Sequence, residues 1–152
     1  LQKADRAGYI HCVQIHAGRG HWMNREDAVA VDWMAKHTRQ PLPKRIVWKQ
    51  DNVVHDSFYW LFLPDGQAAE RMEIRATVKG QIIELSGPAG KRVQINLSDA
   101  LVDLEIPVKI VSKGKELFSG KLNRTIGNLV TSLDRRRDHN FMLPTRREVT
   151  LP

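Results

Sequence analysis

The apolar positions of the chain follow two different rules on either side of residue 41. Tyr9 to His16 (YIHCVQIH) is a short run of strand formers that stops at Gly18 and Gly20, which predicts a strand running into a tight glycine loop. Ala30, Trp33, Met34 and His37 then recur at helical spacing. Asn24 is the expected N-cap of that helix, Glu26 and Asp27 suit the positive end of its dipole, and Lys36 and Arg39 suit its closing turn. Pro41 and Pro43 forbid further helix and make a stiff, extended connection, which marks a boundary between two structural units.

Beyond the boundary the period becomes two. Arg45–Lys49 and Ser57–Leu63 read as strands, the second closed by the turn residues Pro64, Asp65 and Gly66. Met72, Ile74, Ala76 and Val78 alternate with polar residues, and Gln81–Leu85 returns after Gly80 as a hairpin partner. Val93, Ile95 and Leu97 alternate likewise, and Val108–Val111 and Glu116–Phe118 flank SKGK as a second hairpin. From Thr125, residues Ile126, Leu129, Val130 and Leu133 predict a helix up to an arginine cluster, and Glu148–Leu151 offers a last short strand. The fold class that follows is mainly β, an immunoglobulin-like sandwich of about seven strands with one late helix, preceded by a strand-loop-helix segment. The expected division is 1–40 for that segment, 41–44 for the proline linker and 45–152 for the β-sandwich.

Composition changes this picture little. With 41% apolar and 27% charged residues the chain has globular rather than disordered composition, and no apolar run reaches the length of a membrane span. No membrane partner is therefore expected. Leu1 opens without a basic-then-apolar leader and reads as a cut end. The single cysteine, Cys12, excludes an internal disulfide framework. Most of the formal charge of +7 is scattered, and its one dense patch is Arg135, Arg136 and Arg137 with Arg146 and Arg147. Arginines closing a helix suit the negative end of its dipole, and no recognition motif accompanies them, so they read as solvated surface and no nucleic-acid partner is expected.

The motif with chemical content is Gly18-Arg19-Gly20-His21-Trp22-Met23. A strand, a glycine-tight loop, a histidine and a helix present an imidazole at the carboxyl edge of an α/β sheet, a geometry suited to a general base. The stretch from Tyr9 to Pro43 resembles the last strand, catalytic-histidine loop and last helix of α/β-hydrolases of the dienelactone-hydrolase and prolyl-oligopeptidase-like kind. In that family GxGHW is followed by a Trp-Met helix and a proline-bounded linker into a β domain. The resemblance implies that His21 is the catalytic base and that the parent is a serine hydrolase, an esterase or peptidase without cofactor, secreted or periplasmic. It carries over no other residue. Nothing reads G-x-S-x-G, and in these enzymes nucleophile and acid both precede the histidine, so both would lie before Leu1 and the chain alone would be inactive. Asp5 has no motif around it and is not assigned as the acid.

Competing readings concern the same residues. His11, Cys12, His16 and His21 do not predict a metal site, because His11 and His16 would point to opposite faces of a strand. Trp22 and Trp33 read as packing groups. Trp48, Phe58, Tyr59, Trp60 and Phe62 could offer an aromatic binding face, but Phe58, Trp60 and Phe62 would share one side of a strand and make the core, leaving Tyr59 and Trp48 as surface candidates. Two functions follow. One is the hydrolase terminus, whose partner is a missing N-terminal catalytic domain and whose orphaned strand favours a homodimer or strand exchange. The other is a non-catalytic sandwich that binds a polymer or protein, which requires an exposed aromatic row.

Overall fold

The change of period at Pro41 coincides with a division in the computed structural model, which describes residues 10–152 and separates residues 1–40 from residues 41–152. Each unit is described by itself.

The second unit is mainly β. Its strands are β1 (Arg45–Lys49), β2 (Ser57–Phe58), β3 (Leu61–Phe62), β4 (Glu73–Lys79), β5 (Ile82–Ser86), β6 (Arg92–Leu97), β7 (Val108–Ser112), β8 (Lys115–Gly120) and β9 (Thr145–Thr150). They form a five-stranded sheet in the order β1-β4-β5-β7-β8 and a four-stranded sheet in the order β2-β3-β6-β9. All pairings are antiparallel except β5 with β7, which are separated in sequence by β6 of the other sheet. The alternation read from the sequence sets the faces: Ile74, Ala76 and Val78 are buried while Glu73, Arg75 and Thr77 lie on the other side of β4. Both expected hairpins form. The second closes through Lys113 and Gly114, whose φ values of 50° and 78° satisfy the two left-handed positions of a tight hairpin turn.

Inward residues of both sheets meet in one hydrophobic cluster that includes Trp48, Trp60, Leu61, Ile74, Ile95, Ile110 and Leu143. Trp60 is fully buried, and its indole Nε1 donates to the Pro43 carbonyl at 2.8 Å. Leu42 packs on the same cluster and the Val78 N–H donates to the Lys44 carbonyl, so residues 42–44 are tied to the β unit.

Two details differ from the sequence reading. Ser57–Leu63 is not one strand, because Tyr59 adopts a left-handed φ of 52° and folds the run into the β2–β3 hairpin, with Phe58 opposite Leu61. The described residues therefore hold nine strands rather than about seven. Trp48 is not a surface residue: it lies on the inward row of β1 opposite Ile74, is 4% exposed and stacks on Phe58.

The late helix, α2, spans Ile126–Arg136. Thr125 caps it by accepting from the Asn128 N–H at 3.1 Å, and the left-handed Arg137 closes it by donating to the Leu133 carbonyl.

In the first unit, α1 covers Val29–Ala35 and follows a 3-10 segment, Met23–Ala28. Asn24 is not the N-cap. Met23, Asn24 and Arg25 have φ of 40°, 47° and 66°, so a left-handed kink stands where the helix was expected to begin. Of the predicted strand, Tyr9 lies outside the described residues, and Ile10–His16 carries no strand ladder. A strand requires a neighbour to accept its backbone hydrogen bonds, and no described strand pairs with this stretch.

Candidate functional site

The loop that carries His21 is built from its glycines. Gly18 has φ 71° with open space where a side chain would stand, which lets the chain turn sharply after residues 10–16. The Met23 N–H then donates to the Gly20 carbonyl at 3.2 Å and the Arg25 N–H to the Trp22 carbonyl at 3.3 Å, so His21 and Trp22 stand at the tip. His21 is exposed, with its ring edge-on to Trp22 at 5.1 Å. Trp22 is 85% exposed, which does not suit the packing role expected of it. Among the described residues no carboxylate comes within ion-pair distance of His21.

A different histidine finds an acid. His16 Nδ1 lies 3.4 Å from Glu26 Oε2, and Arg19 Nη2 lies 2.7 Å from the other oxygen of the same carboxylate. Glu26 thereby ties together His16, the glycine loop and the 3-10 segment. Sequence reasoning gave Glu26 only a place in a helix dipole; no periodicity relates it to His16, so local spacing could not reveal the contact. Because Arg19 shares the carboxylate, the cluster orders the loop and does not by itself leave a poised acid-base pair. His37 has a structural role as well, its ring tilted against Trp33 at 4.4 Å with Nδ1 2.8 Å from the Trp33 carbonyl. No group of three His, Cys, Asp or Glu side chains that could hold a metal occurs among the described residues, and Cys12 is exposed.

The second unit has a shallow concavity of about 460 Å³ on the outer face of the five-stranded sheet, lined among others by Arg45, Val47, Arg75, Thr77, Glu84 and Lys113. Its charged groups are engaged internally, Arg75 with Glu73 at 2.7 Å, Glu84 with Lys79 at 3.0 Å and Lys113 with the Pro152 carbonyl at 2.9 Å. No family model, curated protein or solved structure matches the chain. A functional reading therefore rests on its own residues.

The arginine cluster is more than solvated surface. Arg135 pairs with Asp56 at 3.1 Å and lies 5.0 Å over the Phe62 ring. Arg136 donates to the Tyr59 carbonyl and covers Phe141, and Arg147 lies 4.1 Å over Phe118. These cations cover aromatic faces at the margin of the core.

Proposed function

We propose that the chain is the C-terminal part of a serine hydrolase, an esterase or peptidase of the α/β-hydrolase type, inactive alone, in which His21 serves as the catalytic base and residues 45–152 form an immunoglobulin-like β-sandwich accessory domain. The observation that carries this reading is the state of the first unit: none of residues 10–40 is buried. Ile10, Val13, Ile15, Val29, Val31 and Met34 are 55–87% exposed. A segment that buries none of its apolar side chains forgoes the main source of folding free energy and requires a covering surface. A hydrolase sheet preceding it would supply that surface, the ladder partner for residues 10–16, and the nucleophile and acid. In the absence of such a domain a second copy is the next available cover, so strand exchange or dimerisation belongs to the same reading.

The exposed His21 at a glycine-tight tip supports it further, since a base must reach a substrate. The three successive left-handed residues after it cost of the order of 1 kcal/mol each, a strain found at functional loops more often than elsewhere. The burial of Trp48, Trp60 and Phe62 counts against a polymer-binding aromatic face.

The test is hydrolysis of p-nitrophenyl acetate by the 152-residue chain and by the same chain joined to any coding sequence upstream of it, each as wild type and His21→Ala. The expected result is activity only in the longer protein, with His21→Ala lowering kcat by about six orders of magnitude. An active longer protein indifferent to His21→Ala would sink the proposal.

A further inference from the structure

Arg71, Arg75, Arg92, Arg124 and Arg135 each meet a carboxylate, Asp51, Glu73, Glu148, Asp99 with Glu105, and Asp56 respectively, at 2.6–3.1 Å. Arg146 does not. It stands on β9 opposite Asn96 of β6, and its Nε donates to the Asn96 Oδ1 at 3.1 Å. Asn96 is 1% exposed, and its Nδ2 is directed at the carbonyls of Gln94 and Trp60, at 3.4 and 3.5 Å. That engagement fixes which end of the amide faces Arg146. The guanidinium is thus positioned by a buried neutral acceptor rather than by an opposite charge.

The nearest acid along the same strand face is already committed, since Glu148 accepts from both Arg92 Nη1 and Gln94 Nε2. Among the described residues no carboxylate lies within 4.0 Å of Arg146. A second cation approaches from the last turn of α2, where Arg135 rests on Phe62, the residue opposite Gln94 across β3 and β6. Partial burial, and after it the positive charge of Arg135, hold the Arg146 pKa below its ordinary value, with the Glu148 carboxylate opposing them. With Nε occupied, the free edge of the guanidinium is the one formed by its two Nη groups, the end-on geometry that accepts two oxygens of one anion.

We propose that Arg146 and Arg135 form an oxyanion-binding site on the outer face of the four-stranded sheet, in which the Nη groups of Arg146 hold two oxygens of a phosphate-type group and Arg135, which keeps its ion pair with Asp56, adds a partly compensated positive charge. The planar fork of Arg146, with a second guanidinium at hand, matches the oxygens of a phosphate-type group. The site is independent of the hydrolase reading, because it involves neither His21 nor the first unit.

The experiment is titration of the 152-residue chain with inorganic phosphate and with phenyl phosphate at constant ionic strength set by chloride, followed by calorimetry and by the arginine Nε and Asn96 side-chain NMR signals. Saturable binding of phosphate is expected, with about tenfold weaker binding to Arg146→Lys, which keeps the charge but loses the fork. Arg135→Gln, at an exposed position, should weaken binding several-fold, while Arg147→Gln should not. Tighter binding of the monoester would indicate a phosphate borne by a larger molecule, and equal binding a free one; both support the site. Chloride-like behaviour of phosphate, wild-type affinity in both Arg146→Lys and Arg135→Gln, or an equal loss in Arg147→Gln would overturn it. If Arg146→Lys lowers Tm in chloride, the Arg135→Gln result decides alone.

Discussion

Ser132 is the only buried residue of α2, and it is polar. Its Oγ donates to the Leu129 carbonyl and accepts from the Leu143 N–H, each at 2.9 Å, and Leu143 is fully buried. The hydroxyl therefore pins the helix to the segment leading into β9. Ser132→Ala removes the acceptor with almost no change of volume and leaves the Leu143 N–H without a partner in a place water does not reach. An unsatisfied buried donor costs about 1–3 kcal/mol. Alanine returns up to about 0.5 kcal/mol through helix propensity. The net expectation is a loss of about 0.5–2.5 kcal/mol, or about 2–10 °C in Tm for a unit of this size. Urea unfolding monitored through the fluorescence of the buried Trp48 and Trp60 should show a lower midpoint with unchanged m. Thr131→Ala is the control, because its Oγ1 donates to the Gly127 carbonyl at an exposed position and its loss should stay within about 0.5 kcal/mol. If the two variants unfold together, the hydroxyl bridge is not what holds α2, and the reasoning fails.

Gly87→Ala should destabilise by about 1–3 kcal/mol, because an added Cβ would stand 2.8 Å from Leu151 Cδ1 and 3.3 Å from Ile74 Cγ1; thermal unfolding checks it. Ile95→Ala, in the centre of the core, should cost about 2–5 kcal/mol by urea unfolding, and a loss below 1 kcal/mol would mean that the two sheets do not share that core. Asp99 is held below its ordinary 3.8, chiefly by its hydrogen bonds from Arg124, with burial opposing more weakly. A depressed folded-state pKa contributes stability that is present above the unfolded value and lost as pH falls through the folded one. The Tm difference between wild type and Asp99→Asn should therefore be full near neutrality and close as the pH drops below about 4, and a difference that persists at the acid end would contradict the assignment.

The parts of the fold that could be read from the sequence are those whose signal is local. Gly80 and Gly114 announce their hairpins because a left-handed turn is costly for other residues, and Ile126, Leu129, Val130 and Leu133 announce α2 by their helical spacing. SFYWLFL hides its hairpin because an unbroken apolar run has no period from which a fold-back at Tyr59 could be inferred. The same ambiguity placed Trp48 outside, when its inward partner Ile74 is set by pairing with a strand still to come. The sites lie further from view. The His16–Glu26–Arg19 contact requires the loop to close across a kink that no residue preference predicts, and the Asn96–Arg146 contact depends on the register of two strands fifty residues apart.

The two units meet opposite physical demands, and this bears on how His21 could act. In residues 41–152 the large apolar side chains of both sheets close on one another, so the sheets supply their own driving force. In residues 10–40 the apolar side chains remain outside, and each one buried later would contribute about 1.5–3 kcal/mol. Covering Ile10, Val13 and Ile15 would fix the stretch from which the Gly18–Gly20 loop turns, and that loop in turn aims the imidazole. On the proposed reading, the energy that would recruit a partner and the geometry that would position His21 as the base are thus carried by the same few residues. Polar replacement of Val13 and Ile15 should accordingly weaken any activity that depends on His21 through orientation, lowering kcat while the β unit keeps its unfolding transition.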